Sequence, residues 1–277
     1  MKPTIEQLEN KARQLRLSIV EMIGPGTPGH LGGSCSIADI VTVLYYYKMK
    51  HDPKNPQLED RDRFLFSKGH SALSQYAALA DCGYFPKEEL KNLKKLGAML
   101  QGHPDMLKTP GIEANTGSLG QGLSIACGMA AGLKIDKKNS HVYVVIGDGE
   151  IAEGQIWEAG MAAANYKLDN LVAILDRNRI QATGPITERF DTNPLPEKWK
   201  AFNWYVIEIE DGHDIKQIID ALEKADTVKG KPVMIIANTI KGKGVCFAEN
   251  TAAFHNGVMN AEQYEIACKG LQAKEMI

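Results

Sequence analysis

The sequence predicts an α/β fold in which a parallel sheet is sandwiched between helices. Three observations carry this. Residues 142–146 and 171–175 are continuous apolar runs of strand length, and 233–237 repeats the pattern. Strands apolar on both faces need cover on both sides, as parallel sheets have. A helical pattern over 156–166 separates the first two runs, which is what a right-handed crossover between parallel neighbours requires. The first run also ends in Gly147-Asp148-Gly149, at the end of the sheet where ligands gather in this fold class.

The remaining elements follow in order. Residues 4–22 read as a helix. Thr4 can cap it, Leu8, Leu15, Ile19 and Met22 supply the apolar spacing, and Gly24-Pro25-Gly26 stops it. A glycine-rich loop covers 24–34, and 36–49 is helical again. Segment 51–63 is polar, with Pro53 and Pro56, and 64–66 is a short strand. Ser67-Lys68-Gly69-His70 opens a helix running to about Cys82. A long loop spans 97–117, and the small, apolar run 119–135 is a buried helix. After the central strands, 204–209 reads as a strand, 215–225 as a helix and 258–277 as a terminal helix or tail. No repeat, low-complexity tract or clear linker divides the chain, so a single α/β domain over 1–277 is expected.

Composition narrows the function. The 32 basic and 34 acidic residues nearly cancel, which disfavours nucleic acid or an anionic membrane as partner. The five cysteines are odd in number and form no Cys-x-x-Cys pair, which fits reduced thiols in a reducing compartment. The N-terminus lacks an apolar signal region, and no apolar run reaches the ~20 residues of a spanning helix. A cytoplasmic protein is the expectation.

Gly147-Asp148-Gly149 offers backbone N–H groups to a phosphate, and Asp148 an oxygen to a hard cation. The next strand ends in Asp176-Arg177-Asn178-Arg179, so Asp148 and Asn178 lie side by side if the strands are neighbours. A carboxylate, an amide oxygen, a backbone carbonyl and diphosphate oxygens would complete a six-coordinate shell suited to Mg2+. Gly-Asp-Gly followed about thirty residues later by Asn resembles the thiamine-diphosphate signature. Arg177 stands where that signature favours a first Asn.

Seven histidines are present. His51, His141 and His213 occupy polar or boundary positions and read as ordinary surface residues. His30, His70, His103 and His255 lie in glycine- or turn-rich loops, where a rigid sheet can position them for proton transfer.

At this point the chain resembles the N-terminal, diphosphate-binding part of a transketolase. The matching runs are Gly29-His30-Leu31-Gly32-Gly33, the stretch from Asp60 to His70, Gly102-His103-Pro104, Thr116-Gly117-Ser118-Leu119-Gly120-Gln121-Gly122, Gly147-Asp148-Gly149-Glu150 and Lys241-Gly242-Lys243-Gly244. They run in order from about residue 20 to 257.

The resemblance implies the thiamine-diphosphate-binding fold and its cofactors, thiamine diphosphate with Mg2+ (or Ca2+ or Mn2+). It implies that Asp148, Asn178 and the carbonyl of Ile180 hold the metal. His70, Gly147, Gly149, Glu150 and His255 would meet the diphosphate region, and Gly117, Ser118 and Leu119 the thiazolium and aminopyrimidine. The family usually has Pro at the place of Ser118. His30, His70, His103 and His255 would be catalytic, and Glu153 and Glu158 would link two active sites near a subunit interface.

The same resemblance implies ketol transfer between sugar phosphates. A full-length transketolase has two further domains, for pyrimidine binding and at the C-terminus. With the chain ending at Ile277, these are expected on a partner chain in a two-plus-two heterotetramer. Two alternatives stay open. One is another thiamine-diphosphate enzyme, such as a deoxyxylulose-phosphate synthase or a 2-oxo acid decarboxylase subunit. The other is a noncatalytic scaffold relative. The sugar is also open, whether of the pentose phosphate pathway or of a specialised catabolic route.

Overall fold

A computed structural model describes residues 2–272. Its centre is a parallel sheet of five strands: β1 (Arg63–Phe66), β2 (Val142–Gly147), β3 (Leu171–Arg177), β4 (Tyr205–Ile209) and β5 (Val233–Asn238). Their spatial order is β1-β2-β3-β5-β4. The side-chain period of two sends alternate residues to two separate cores. Phe64, Phe66, Tyr143, Val145, Val172, Ile174, Val233 and Ile235 face one layer. Leu65, Val142, Val144, Ile146, Ala173, Leu175, Met234 and Ile236 face the other. This is why the runs read as apolar throughout.

The first layer contains α1 (Ile5–Ile23), α2 (Leu31–Ser36), α3 (Ala38–Val43) and α4 (Leu73–Cys82). Thr4 caps α1 in a reciprocal capping box. Its hydroxyl accepts from the Gln7 N–H at 3.2 Å, and its own N–H donates to Gln7 Oε1 at 2.9 Å. The second layer contains α5 (Gln121–Ile135), α6 (Gly154–Asn165) and α7 (Leu195–Ala201), packed around Trp199 and Trp204. Next, α8 (Ile215–Asp226) returns to the first layer. Asp214 caps it by accepting from the N–H groups of Lys216 and Gln217, and Ile215, Ile218 and Leu222 form its buried stripe. The chain then reaches α9 (Ala261–Gln272); the part of the expected terminal helix or tail beyond residue 272 lies outside the described residues. No helix among the described residues is long and apolar enough to cross a membrane.

Two local expectations fail for a tertiary reason. The loop expected over 24–34 turns helical at Leu31 despite Gly32 and Gly33. A Cβ on Gly33 would come within 2.6 Å of Ser71 Oγ, and one on Gly32 within 3.0 Å of the Lys241 side chain. The glycines are there for close approach, not for chain freedom. The helix expected over 36–49 is broken into α2, α3 and a wide turn at Leu44–Lys48. The short helix α7 lies outside the elements expected from the sequence.

Candidate functional site

The register of the sheet builds the site. Gly147 on β2 pairs with Asp176 on β3, so the residues just beyond both strands, Asp148 and Asn178, converge. A cavity of about 220 Å³ opens there, lined by Asp148, Asn178, Ile180, Gly147, Gly149 and Glu150 among others. Asp148 is buried; its Oδ1 accepts from the Gly149 N–H at 2.9 Å and its Oδ2 from the N–H of Arg179. It has no salt-bridge partner among the described residues. Burial, then the charge of Asp176, pushes the Asp148 carboxyl up to about 7.

A cation would relieve that penalty. Asn178 and Ile180 line the same cavity, the Asn178 Oδ1 accepting from the Ile180 N–H at 3.1 Å. Amide and carbonyl oxygens, like a carboxylate, are hard donors of the kind Mg2+ takes. The described residues contain no group of three or more His, Cys, Asp or Glu able to hold a metal. A divalent ion here would therefore draw on the amide and carbonyl oxygens, and on oxygens from outside the protein.

The same cavity also carries basic groups. Lys68 and Lys241 both line the cavity. Lys241 Nζ donates to the Ile180 carbonyl at 2.7 Å and to His255 Nδ1 at 3.1 Å. Burial, then Lys68, brings the Lys241 ammonium down to about 8. Lys68 is paired with Asp176, which is fully buried and also accepts from Ser36, Asn178 and Thr239. Burial works against ionised Asp176, but Lys68 and those donors outweigh it and hold the carboxyl below its ordinary value. Asp176 thus anchors three of the surrounding segments while Asp148 is left open to a ligand.

The four loop histidines come together at the mouth. A short antiparallel ribbon, Pro28–Gly29 against Gly257–Val258, brings the loops of His30 and His255 side by side. Ring centroids are 5.0 Å apart for His30 and His70, 4.9 Å for His70 and His255, 5.6 Å for His30 and His255 and 6.2 Å for His30 and His103. Only His70 and His255 line the cavity itself.

Crowding keeps these rings neutral. Burial, then neighbouring His255, lowers His30 to about 4. Burial, then Lys68, lowers His70 to about 2. Burial, then Lys241, lowers His255 to about 4. His103 is lowered by burial and then by Lys94.

The other expected residues are distributed unevenly. Leu119 lines the cavity, whereas Gly117 and Ser118 do not. Gly117 has φ +140°, and a Cβ there would lie 2.5 Å from His103 Cδ2, so this loop shapes the place of His103. Glu150 is committed to scaffolding. It accepts from Ser67 and from the N–H groups of Gly120 at 2.8 Å and Gly147 at 2.9 Å. Glu153 and Glu158 are exposed, at the start and along one face of α6.

Sequence reasoning misses Lys68, Lys241 and Asp176 as site residues, although all three stand in runs that it singles out. The only signal is a lysine beside a glycine in a loop, and nothing in one dimension says where its ammonium ends. His213 corrects the surface reading outright: its side chain is buried against Asp39. His51 is half-buried between the Tyr84 hydroxyl and the Tyr45 carbonyl.

Comparison with known proteins decides the family. The family described as transketolase, thiamine diphosphate binding domain, matches residues 5–273. The chain belongs to the transketolase family. It is 46% identical over 265 residues to a 6-deoxy-6-sulfo-D-fructose transketolase subunit of a Clostridium species, with 96% of each chain covered. It is 42% identical to an apulose-4-phosphate transketolase subunit of Phocaeicola vulgatus, covering 96% of this chain and 94% of that one. The crystal structure of transketolase from Campylobacter jejuni matches with a TM-score of 0.90 at 34% identity, over 99% of this chain and 43% of that one. The chain thus spans nearly all of the subunit-type transketolases but less than half of the solved transketolase chains. The expected fold and thiamine-diphosphate class are borne out.

Proposed function

We propose that this chain is the diphosphate-binding subunit of a two-polypeptide transketolase, moving a two-carbon ketol unit from an anionic ketose to an aldose. The observation that carries this is one cavity lined by Asp148, Asn178, Ile180, His70 and His255, with the rings of His30 and His103 adjoining them. An anionic ketose is supported by the names of the subunit-length relatives, which specify a sulfonated and a phosphorylated sugar. Their being subunits supports a partner chain; that it carries the pyrimidine-binding and C-terminal domains, in a two-plus-two heterotetramer, is part of the proposal.

Thiamine diphosphate supplies, when bound, a nucleophilic carbon and an electron sink for cleaving and forming a carbon–carbon bond. Asp148, Asn178 and the Ile180 carbonyl would hold Mg2+ to the diphosphate. Lys241 would add positive charge beside these oxygens, and neutral His70 a hydrogen-bonding ring nitrogen. His30, His103 and His255, neutral at pH 7, would accept a proton from a sugar hydroxyl and return it to an aldehyde oxygen. Glu153 and Glu158, exposed at the start and along one face of α6, are proposed to face a neighbouring subunit.

The test is ketol transfer measured with the chain alone and with the second polypeptide added. Activity is expected only in the mixture. Full activity from the chain alone would sink the two-polypeptide reading. Loss of thiamine diphosphate binding on chelation of Mg2+ is expected as well, and metal-independent binding would remove the metal from the site.

A further inference from the structure

A buried chain of charged groups, unused so far, ends on the loop that carries Lys241. Arg16 on α1 donates to both oxygens of Asp39, through Nη1 at 3.0 Å and through Nη2, and its Nε reaches the Cys35 carbonyl at 3.2 Å. Asp39 Oδ2 lies 2.7 Å from His213 Nδ1. His213 Nε2 lies 2.8 Å from the backbone nitrogen of Ile240.

A backbone N–H can only donate, so Nε2 is the bare nitrogen, and Nδ1 carries the proton and donates to Asp39. Both side chains are only 8% exposed, so water does not compete for these bonds. Burial works against an ionised Asp39, but Arg16 and His213 hold its carboxyl down at about 2, and it stays an acceptor. Two residues after Ile240, the Gly242 N–H donates to the Gly32 carbonyl at 2.9 Å. The backbone is therefore clamped on both sides of Lys241.

We propose that His213 is a positioning residue of the cofactor site: held by Asp39 in its Nδ1–H form, it fixes the backbone at Ile240 and so aims the Lys241 ammonium at the Ile180 carbonyl and His255. A residue 27 positions away in sequence thereby sets the basic wall of the cavity. The proposal rests on the reading that Lys241 and His255 face the diphosphate.

Three variants of the full chain, titrated with thiamine diphosphate and Mg2+, test it together with the imidazole NMR signature of His213. His213→Gln keeps an acceptor for the Ile240 N–H, whereas His213→Asn keeps only the donor toward Asp39. Losing the acceptor orphans a buried N–H, so His213→Asn should weaken cofactor affinity about tenfold, and His213→Gln should restore it. The wild-type ring should show Nδ1 protonated and Nε2 bare. A ring protonated at Nε2 would overturn the proposal, even if His213→Asn fails to fold. Equal weakening in both His213 variants would also overturn it, leaving a packed member of a structural cluster. Lys241→Met separates the premise from the relay: unchanged affinity there removes the basic-wall reading and the proposal with it, whatever the tautomer.

Discussion

Replacing Asp148 by Asn should make the cofactor-free protein more stable, although it removes a residue of the site. The Asp148 carboxyl is raised from 3.8 to about 7, first by burial and then by Asp176. The shift of roughly three units, at about 1.4 kcal/mol each, amounts to about 4 kcal/mol. The sign follows from linkage. Between 3.8 and about 7 the unfolded chain loses this proton while the folded chain keeps it, so the wild type loses stability as pH rises through that window. Below it the side chain is neutral in both states; above it the loss is complete and constant.

Asn carries no charge at any pH and still presents an oxygen to the Arg179 N–H. The variant should therefore match the wild type near pH 4 and exceed it by about 4 kcal/mol at pH 8. Urea denaturation of the cofactor-free chain across this range, followed by tryptophan fluorescence, measures the gap. Mg2+ with thiamine diphosphate should reverse the order, because only the carboxylate repays its burial by binding the cation. A gap independent of pH, or none at pH 8, would refute the reasoning. It would mean that Lys68 and Lys241 already neutralise Asp148 in the empty site.

Three further predictions concern the neighbours. His103→Ala should cut ketol transfer far more than thiamine diphosphate affinity, because His103 stands outside the cavity and beside His30; equal loss of both would argue for a structural role. Lys68→Met should destabilise the fold by about 3–5 kcal/mol by leaving buried Asp176 without its cation, and a thermal melt unchanged from wild type would contradict that. Gly117→Ala should displace His103, since the new methyl would sit 2.5 Å from the ring at a φ that disfavours a side chain. A crystal structure of that variant with the His103 ring unmoved would disprove it.

Much of the fold was legible because its signals are local. The three central strands are apolar on both faces, and they lie where that pattern put them. The cap at Thr4 and the stop at Gly24 are short-range chemistry as well. The start of α2 was not legible. Gly32 and Gly33 suggest a loop by propensity, but close contacts with Lys241 and Ser71 demand their missing side chains inside a helix.

The site divides in the same way. Asp148 and Asn178 could be paired from sequence because one crossover separates adjacent parallel strands, and their register then follows. That the loops of His30 and His255 meet depends on a ribbon between residues 28–29 and 257–258. Chain order does not encode that pairing, since contacts at such separation are made only by the packed whole. The sequence by itself therefore determined the sheet, the acidic and amide side chains at its end and the resemblance to the family. Only the tertiary structure decided that Lys241 and Lys68 face Asp148 and that His213 is buried. Where a flexible ammonium or an imidazole ends up depends on which distant backbone groups need its hydrogen bonds.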